Sequence, residues 1–393
     1  MMLPGFIISS MLVIGLAYYM YIPDTELLSS DSVFTSQFKS LCTYLRDIIY
    51  SNSAPEVMSR DDGILTKHES IDGVDVLIHS PVNTEGVLHP GIIYFHGGGW
   101  ISGSTEEYKA LTQYISKMSG FVVISVEYRL APDFPFPTAF EDCLRATLYL
   151  LRNPSTFGLL TNQITLAGDD VGGNLALSVS LNITKEEPTL SKYIRLVGMF
   201  YPPLQAFDFN LPSYAKNTRQ PGQIGKEDIV EQFSLYLFGE NNTELVNQMM
   251  KNLHTTTEQK NSEMAEILDL NMLPFSFREY SEPGLTKDAG NEQLSRDVSH
   301  LILDDRVSPM LTAMQHLENL PYTYFISPEV DPVRDESFML YAALRELDMN
   351  KHEHAYYRGQ KHGFLKHFHT NDIAKQAISE FIAHLKKTLL GER

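Results

Sequence analysis

The chain has only two cysteines and one tryptophan, and no lysine or arginine before Lys39. Cys42 and Cys143 allow at most one disulfide, and neither stands in a metal-ligand spacing, so the fold has to rest on an apolar core. Cations are scarce throughout, with 31 Lys and Arg against 49 Asp and Glu for a net charge of −18. A chain so acidic lacks the basic footprint that engages phosphate backbones, which argues against nucleic acid as a partner. Internal repeats and low-complexity tracts are missing too. What is present, 393 residues of which 43% are hydrophobic, suffices for one large α/β core with insertions.

Charge is also absent from residues 3–22, LPGFIISSMLVIGLAYYMYI. A helix of that length crosses roughly 30 Å of hydrocarbon. A cleaved secretory signal is the competing reading, since Gly15-Leu16-Ala17 resembles a cleavage site. The lack of a cationic leader, and an apolar run that continues through two tyrosines suited to a membrane interface, favour a retained anchor over residues 1–22. Two sequons, Asn182-Ile183-Thr184 and Asn241-Asn242-Thr243, would suit a glycosylated lumenal body.

Residues 23–85 read as short amphipathic helical pieces followed by a first, antiparallel strand in DGVDVLIHSP. From 86 to 393 the pattern changes to dense apolar runs: GIIYF, FVVISV, ITLAG, RLVGMFY, YTYFIS and HAYYR, separated by segments of helical period. Such alternation predicts a mostly parallel central sheet with helices on both faces. About 120 residues separate the fourth run from the fifth, far more than a strand-to-helix connection needs. The excess, about 205–305, is expected to form a helical cap over the carboxyl edge of the sheet.

Three stretches carry chemistry. His96-Gly97-Gly98-Gly99-Trp100 follows a strand directly, and consecutive glycines let backbone N–H groups turn inward to form an oxyanion hole, completed by the N–H of Val171. Gly168-Asp169-Asp170-Val171-Gly172 has the strand-turn-helix form of a nucleophile elbow, G-x-S-x-G, without its serine. Asp170 occupies the tip, where the helix dipole favours negative charge; the plain alternative is an ordinary N-cap. Asp331 and His362 follow in the chain order acid then base, with Asp335 and Glu329 as rival acids. His352, His354, His367 and His369 have no compelling ligand spacing and read as strand and helix surface residues; no metal or other cofactor is expected.

With these pieces placed, the chain resembles the arylacetamide deacetylase family, in the hormone-sensitive-lipase-like branch of the α/β-hydrolases. The resemblance rests on HGGGW (96–100), YRLAPDFPFPTAFEDC (128–143), GDDVGGNLA (168–176), YPPLQAFDFNLPSYAKN (201–217), VDPVRDES (330–337) and KHGF (361–364), in order over nearly the whole chain. It implies an α/β-hydrolase fold, a single-pass type II anchor with the hydrolase domain in the endoplasmic-reticulum lumen (a secreted form being the alternative), and hydrolysis of lipophilic esters or amides in active relatives. Carried over by position, Asp331 is the triad acid, His362 the base, and Asp170 stands where the family has its nucleophilic serine. Ile101 and Pro328 stand where relatives tend to carry cysteines.

An aspartate there changes the chemistry. Its attack on an ester carbonyl would give a mixed anhydride that reverts to reactants, and two carboxylates beside one imidazole favour the charged form when a general base must be neutral. Three readings follow: a family member whose serine-type ester hydrolysis is lost or very weak, an aspartate-nucleophile hydrolase acting on epoxides with cap tyrosines such as Tyr214, Tyr236 or Tyr280 as donors, and a non-catalytic protein binding a lipophilic ligand or a partner.

Overall fold

The computed structural model describes residues 59–391 apart from 62, 83–85, 218–221 and 281–289. The expected anchor over 1–22, nearly all of the helical pieces expected upstream of the first strands, and Cys42 lie outside the described residues. Among the described residues no helix is long and apolar enough to cross a membrane.

Among the described residues nine strands, numbered in chain order, form one sheet in the order β1-β2-β3-β5-β4-β6-β7-β8-β9. β1 (Ser59–Asp61), β2 (Ile64–Ile71) and β3 (Val74–Pro81) make an antiparallel edge, and β3 pairs antiparallel with β5 (Val122–Glu127). From β5 onward every pairing is parallel, through β4 (His89–Phe95), β6 (Leu159–Asp169), β7 (Ile194–Phe200), β8 (Tyr322–Val330) and β9 (His352–Lys361). The parallel strands read as unbroken apolar runs because both faces are covered: Ile92, Ile93, Tyr94 and Phe95 of β4 are all fully buried. One face packs on helices Thr105–Ser119 and Asp372–Leu390 through residues such as Leu111, Ile115 and Phe381. The other packs on Thr138–Arg152, Val171–Glu186 and Arg334–Leu347 through Ala146, Leu175 and Leu340.

The α/β architecture expected from the alternation is therefore present. β2 escapes a sequence reading because Lys67, His68 and Glu69 interrupt its apolar residues; only Ile64, Thr66 and Ile71 are buried. Two histidine assignments need correction. His352 is buried and hydrogen-bonded to Thr323 Oγ1 (2.8 Å), and His354 sits among the rings of Phe325, Phe338 and Tyr341 with Nε2 2.9 Å from Ser327 Oγ. Both lie on β9, whose pleat turns them toward β8 and the flanking helix, where desolvation pushes their pKa values down to about 4 and about 3.

The long excursion between β7 and β8 carries helices Pro212–Lys216, Lys226–Phe238, Thr243–Met250 and Glu292–Ile302. The helix expected in EDIVEQFSLYLF is the second of these, and it docks on the glycine loop after β4. Tyr236 stacks flat on Trp100 (centroids 4.3 Å apart, planes 2° apart), Phe233 packs beside it at 5.0 Å, and the Gln232 side chain lies against Gly99 so closely that a Cβ there would overlap it. Trp100 is thus the bolt between sheet edge and cap. Trp100→Ala should cost about 3–5 kcal/mol of unfolding free energy by emptying that contact, read by denaturant unfolding; a loss below about 1 kcal/mol would mean that the cap is held by other contacts.

Candidate active site

β6 ends at Asp169 and the next helix begins at Val171, so the chain reverses in one residue. Asp170 makes that reversal at φ 51°, ψ −128°, a conformation that costs an L-residue on the order of 1–3 kcal/mol. The backbone holds it there: Asp170 N–H donates to Phe200 O (2.8 Å) and Gly173 N–H to Asp170 O (2.9 Å). Small residues are required alongside, because a Cβ at Gly172 would overlap the carbonyl oxygen of Phe95. The turn is a nucleophile elbow in shape, and the ordinary N-cap alternative fails, since the Asp170 side chain makes no capping bond to its own helix.

The Asp170 carboxylate points at the glycine loop. Its Oδ2 accepts from Gly98 N (2.9 Å) and Gly99 N (3.0 Å), whose φ values of 126° and 66° aim both amides inward. Its Oδ1 lies 3.4 Å from His362 Nε2. The two atoms form a buried ion pair at that distance. His362 Nδ1 is 3.0 Å from Asp331 Oδ2, and Asp331 Oδ1 accepts from Val333 N (2.8 Å). Among the candidate acids, then, Asp331 reaches the imidazole. Asp335 is instead paired with Arg334 and bonded by Ser213 N, and Glu329 accepts from Gly359 N.

The remaining loop residues divide their work. Gly97 N donates to Asp169 Oδ1 (3.1 Å), and His96 is buried, stacked on Tyr128 (4.2 Å) with Nδ1 2.9 Å from Gly97 O. These two shape the loop, while Gly98 and Gly99 present donors. Val171 is fully buried at the start of the elbow helix. Asp169 went unrecognised in the sequence. Fully enclosed, it accepts from Tyr94 (2.9 Å), Tyr108 (2.9 Å), Tyr201 (3.3 Å) and Gly97, tying β4, helix Thr105–Ser119 and the end of β7 to the elbow. Its signal, an acid directly before the tip, was visible; the three hydroxyls come from segments that read simply as apolar.

The site opens into a cavity of about 310 Å³ walled by the sheet edge and by cap residues Gly222, Ile224, Asp228 and Gln232. Tyr214 donates to Glu336 Oε1 (2.6 Å) and Tyr236 is buried against Trp100, so neither lines this cavity.

A family model described as the alpha/beta hydrolase fold matches residues 92–268. Arylacetamide deacetylase of Bos taurus is 29% identical over 98% of each chain, and neutral cholesterol ester hydrolase 1 of Pongo abelii is 30% identical over 82% of this chain and 84% of its own. The chain belongs to the arylacetamide deacetylase family of α/β-hydrolases. Human arylacetamide deacetylase-like 2 is a further relative, 30% identical over 75% of this chain and 72% of its own. Among solved structures, the esterase of Pyrobaculum calidifontis shares the fold with a TM-score of 0.63 at 21% identity over 96% and 97% of the two chains. This chain is thus an ester-hydrolase family member by descent.

Electrostatics at the elbow follow from these contacts. Burial alone would push the His362 pKa down, but Asp331 and Asp170 on its two sides together raise it to about 10. For Asp170, burial opposes ionisation, and His362 with the Gly98 and Gly99 amides outweighs it and holds the carboxyl below its usual range. Next door, burial dominates at Asp169 and raises its pKa against the pull of Lys366. Because the His362 pKa lies above its ordinary 6.5, its contribution to stability is complete below about pH 6.5 and fades as pH rises through about 10. The imidazole NMR signals of His362 should accordingly stay those of the cation through pH 8 and titrate near 10, and Asp170→Ser should move the midpoint downward; titration near 6.5 in the unaltered protein would contradict the ion pair.

Proposed function

We propose that this protein is an arylacetamide-deacetylase-family member with Asp170 in place of the nucleophilic serine, so that serine-type hydrolysis of esters or amides is lost or very weak while the cavity still takes a lipophilic small molecule. One observation carries this reading: Asp170 Oδ2 already occupies the two amides that would stabilise a tetrahedral oxyanion. The donors are spent on the resting carboxylate, and the imidazole that would take a proton is itself protonated at neutral pH. Removing a triad nucleophile costs on the order of 10⁶-fold in kcat in serine proteases. Neither the oxyanion stabilisation nor the base that give an esterase its residual activity is free here.

Carboxylate attack on an epoxide has one feature in its favour, an Asp170 Oδ1 that accepts from neither glycine amide, but it also needs an acid to protonate the departing oxygen. Tyr214 donates to Glu336 and Tyr236 stacks on Trp100 outside the cavity, which favours the reading without turnover. The residues proposed to define the site are Asp170, His362 and Asp331 with the Gly98 and Gly99 amides, with no metal or other cofactor.

We also propose that residues 1–22 anchor the chain and that residues 86–393 are lumenal, supported by the uncharged run 3–22. Asn241 is exposed ahead of helix Thr243–Met250 and is the favoured glycan acceptor, whereas Asn182 is half-buried within the elbow helix.

Two measurements test these readings. A fluorophosphonate probe should leave the unaltered protein unlabelled and should label Asp170→Ser, because the rest of the machinery surrounds a missing hydroxyl; labelling of the unaltered protein would overturn the reading. In microsomes the chain should resist alkaline extraction and lose mass on endoglycosidase treatment unless Asn241 is changed to Gln; a soluble, unshifted chain would rule out the lumenal anchor.

A further inference from the structure

A second concavity, of about 630 Å³ against about 310 Å³ at the elbow, shares no residue with the active site. Helix Arg334–Leu347 supplies Phe338 and Ala342 to it, Met349 follows just past the helix end, and the cap supplies Met272, Leu273 and Pro274. Both sides are set before any ligand arrives. Arg278 Nε and Nη2 donate to Leu273 O (2.9 and 2.7 Å) and Nη2 also to Asn271 O (2.8 Å), which fixes the cap ledge. Phe338 is held edge-on against Phe277 (5.0 Å) and His354 (4.3 Å). A groove preformed in this way costs a ligand little reorganisation. Its rim is unusually apolar as well: Phe275, next to Pro274, is 79% exposed and Met349 is 67% exposed, above every other large apolar side chain among the described residues. Single exposed apolar residues need no explanation, but two flanking one groove mark a place where something apolar binds.

The charges on the wall narrow down what that is. Arg345 and Glu346 are the only charged residues lining the groove. Being consecutive, they leave the helix about 100° apart, and among the described residues neither forms an ion pair, with the other or with a third group. Arg345 instead lies over the Tyr341 ring, 5.6 Å from its centre. We propose that the groove binds a single zwitterionic phospholipid, its acyl chain between the cap ledge and the helix, its phosphate on Arg345 and its quaternary ammonium beside Glu346. A guanidinium matches phosphate with two parallel hydrogen bonds. The ammonium has no proton to donate and needs only a negative charge nearby, which Glu346 offers. A fatty carboxylate would satisfy Arg345 and face repulsion from Glu346, and a cationic amphiphile would meet the reverse. Only a head group of both signs uses both residues.

The test compares three amphiphiles with the same chain, each below its micelle concentration: dodecylphosphocholine, dodecanoate and dodecyltrimethylammonium. Titrated into the purified protein by calorimetry, dodecylphosphocholine should bind roughly tenfold or more tightly than either of the others, as a charge-assisted contact predicts. It should also shift the methyl NMR signals of Met272 and Met349, whereas phosphocholine without a chain should leave them in place. Arg345→Ala should bring its affinity within about twofold of dodecyltrimethylammonium, and Glu346→Ala within about twofold of dodecanoate. Ala342→Trp, shown folded by circular dichroism, fills the groove and should abolish binding of all three. Equal affinities in the unaltered protein would mean that the groove reads hydrocarbon alone, and tighter binding of dodecanoate would make it an anion site; either result overturns the inference. Fluorophosphonate labelling of Asp170→Ser should proceed unchanged with the groove saturated, and its loss would place the amphiphile at the elbow and overturn the inference too.

Discussion

The contact on which the rest of the site depends is the Asp170 carboxylate seated in the Gly98 and Gly99 amides. It is a charge-assisted pair of hydrogen bonds inside a largely enclosed cleft, where such bonds are strong and where the alternative, a bare carboxylate, is costly. The strained φ of Asp170 and the positive φ of both glycines are held in place around it. A device whose amides normally wait empty for a transition state is here filled in the ground state by the chain itself. Preorganisation accelerates a reaction only while the donors bind the transition state better than whatever else is present. On the reading proposed above, the anion in the cradle removes that difference.

Two consecutive aspartates meet opposite fates for reasons that lie in their surroundings. Asp169 points back into the fold, where burial is the largest influence and raises its pKa although three tyrosine hydroxyls and an amide solvate it. Asp170 points out to the cleft, where His362 and the glycine amides keep it ionised against the cost of burial. Alternation of side chains at the end of β6 puts them on opposite sides, and the elbow turns the second one toward the glycine loop. Asp331 then sees the far side of the same imidazole, so His362 is held as a cation between two carboxylates.

Much of this was legible in the chain. Unbroken apolar runs such as GIIYF and ITLAG are what a sheet covered on both faces demands, and the glycines of HGGGW and GDDVGG mark places where only a residue without a Cβ lets two backbones approach. Asp331 and His362 could be singled out because each follows a strand at the carboxyl edge, where side chains converge. β2 was not legible, since an antiparallel strand near the edge with one solvated face tolerates Lys67, His68 and Glu69. His352 and His354 were misplaced at the surface because a polar residue on a strand looks exposed until the neighbouring helix is known to cover it.

By itself, then, the order of residues determined the class of fold, the positions of the oxyanion loop and elbow, and the presence of an acid where a hydroxyl would serve catalysis, because these follow from local period, turn chemistry and motif order. Only the tertiary structure decided where that acid's two oxygens go, which carboxylate reaches His362, that Asp169 is the hidden tie between strands, and that Tyr214 and Tyr236 are turned away from the cavity. These are matters of a few ångströms between segments tens to hundreds of residues apart, and pairings at that range are set by how the sheet and cap close on one another, which no local pattern encodes.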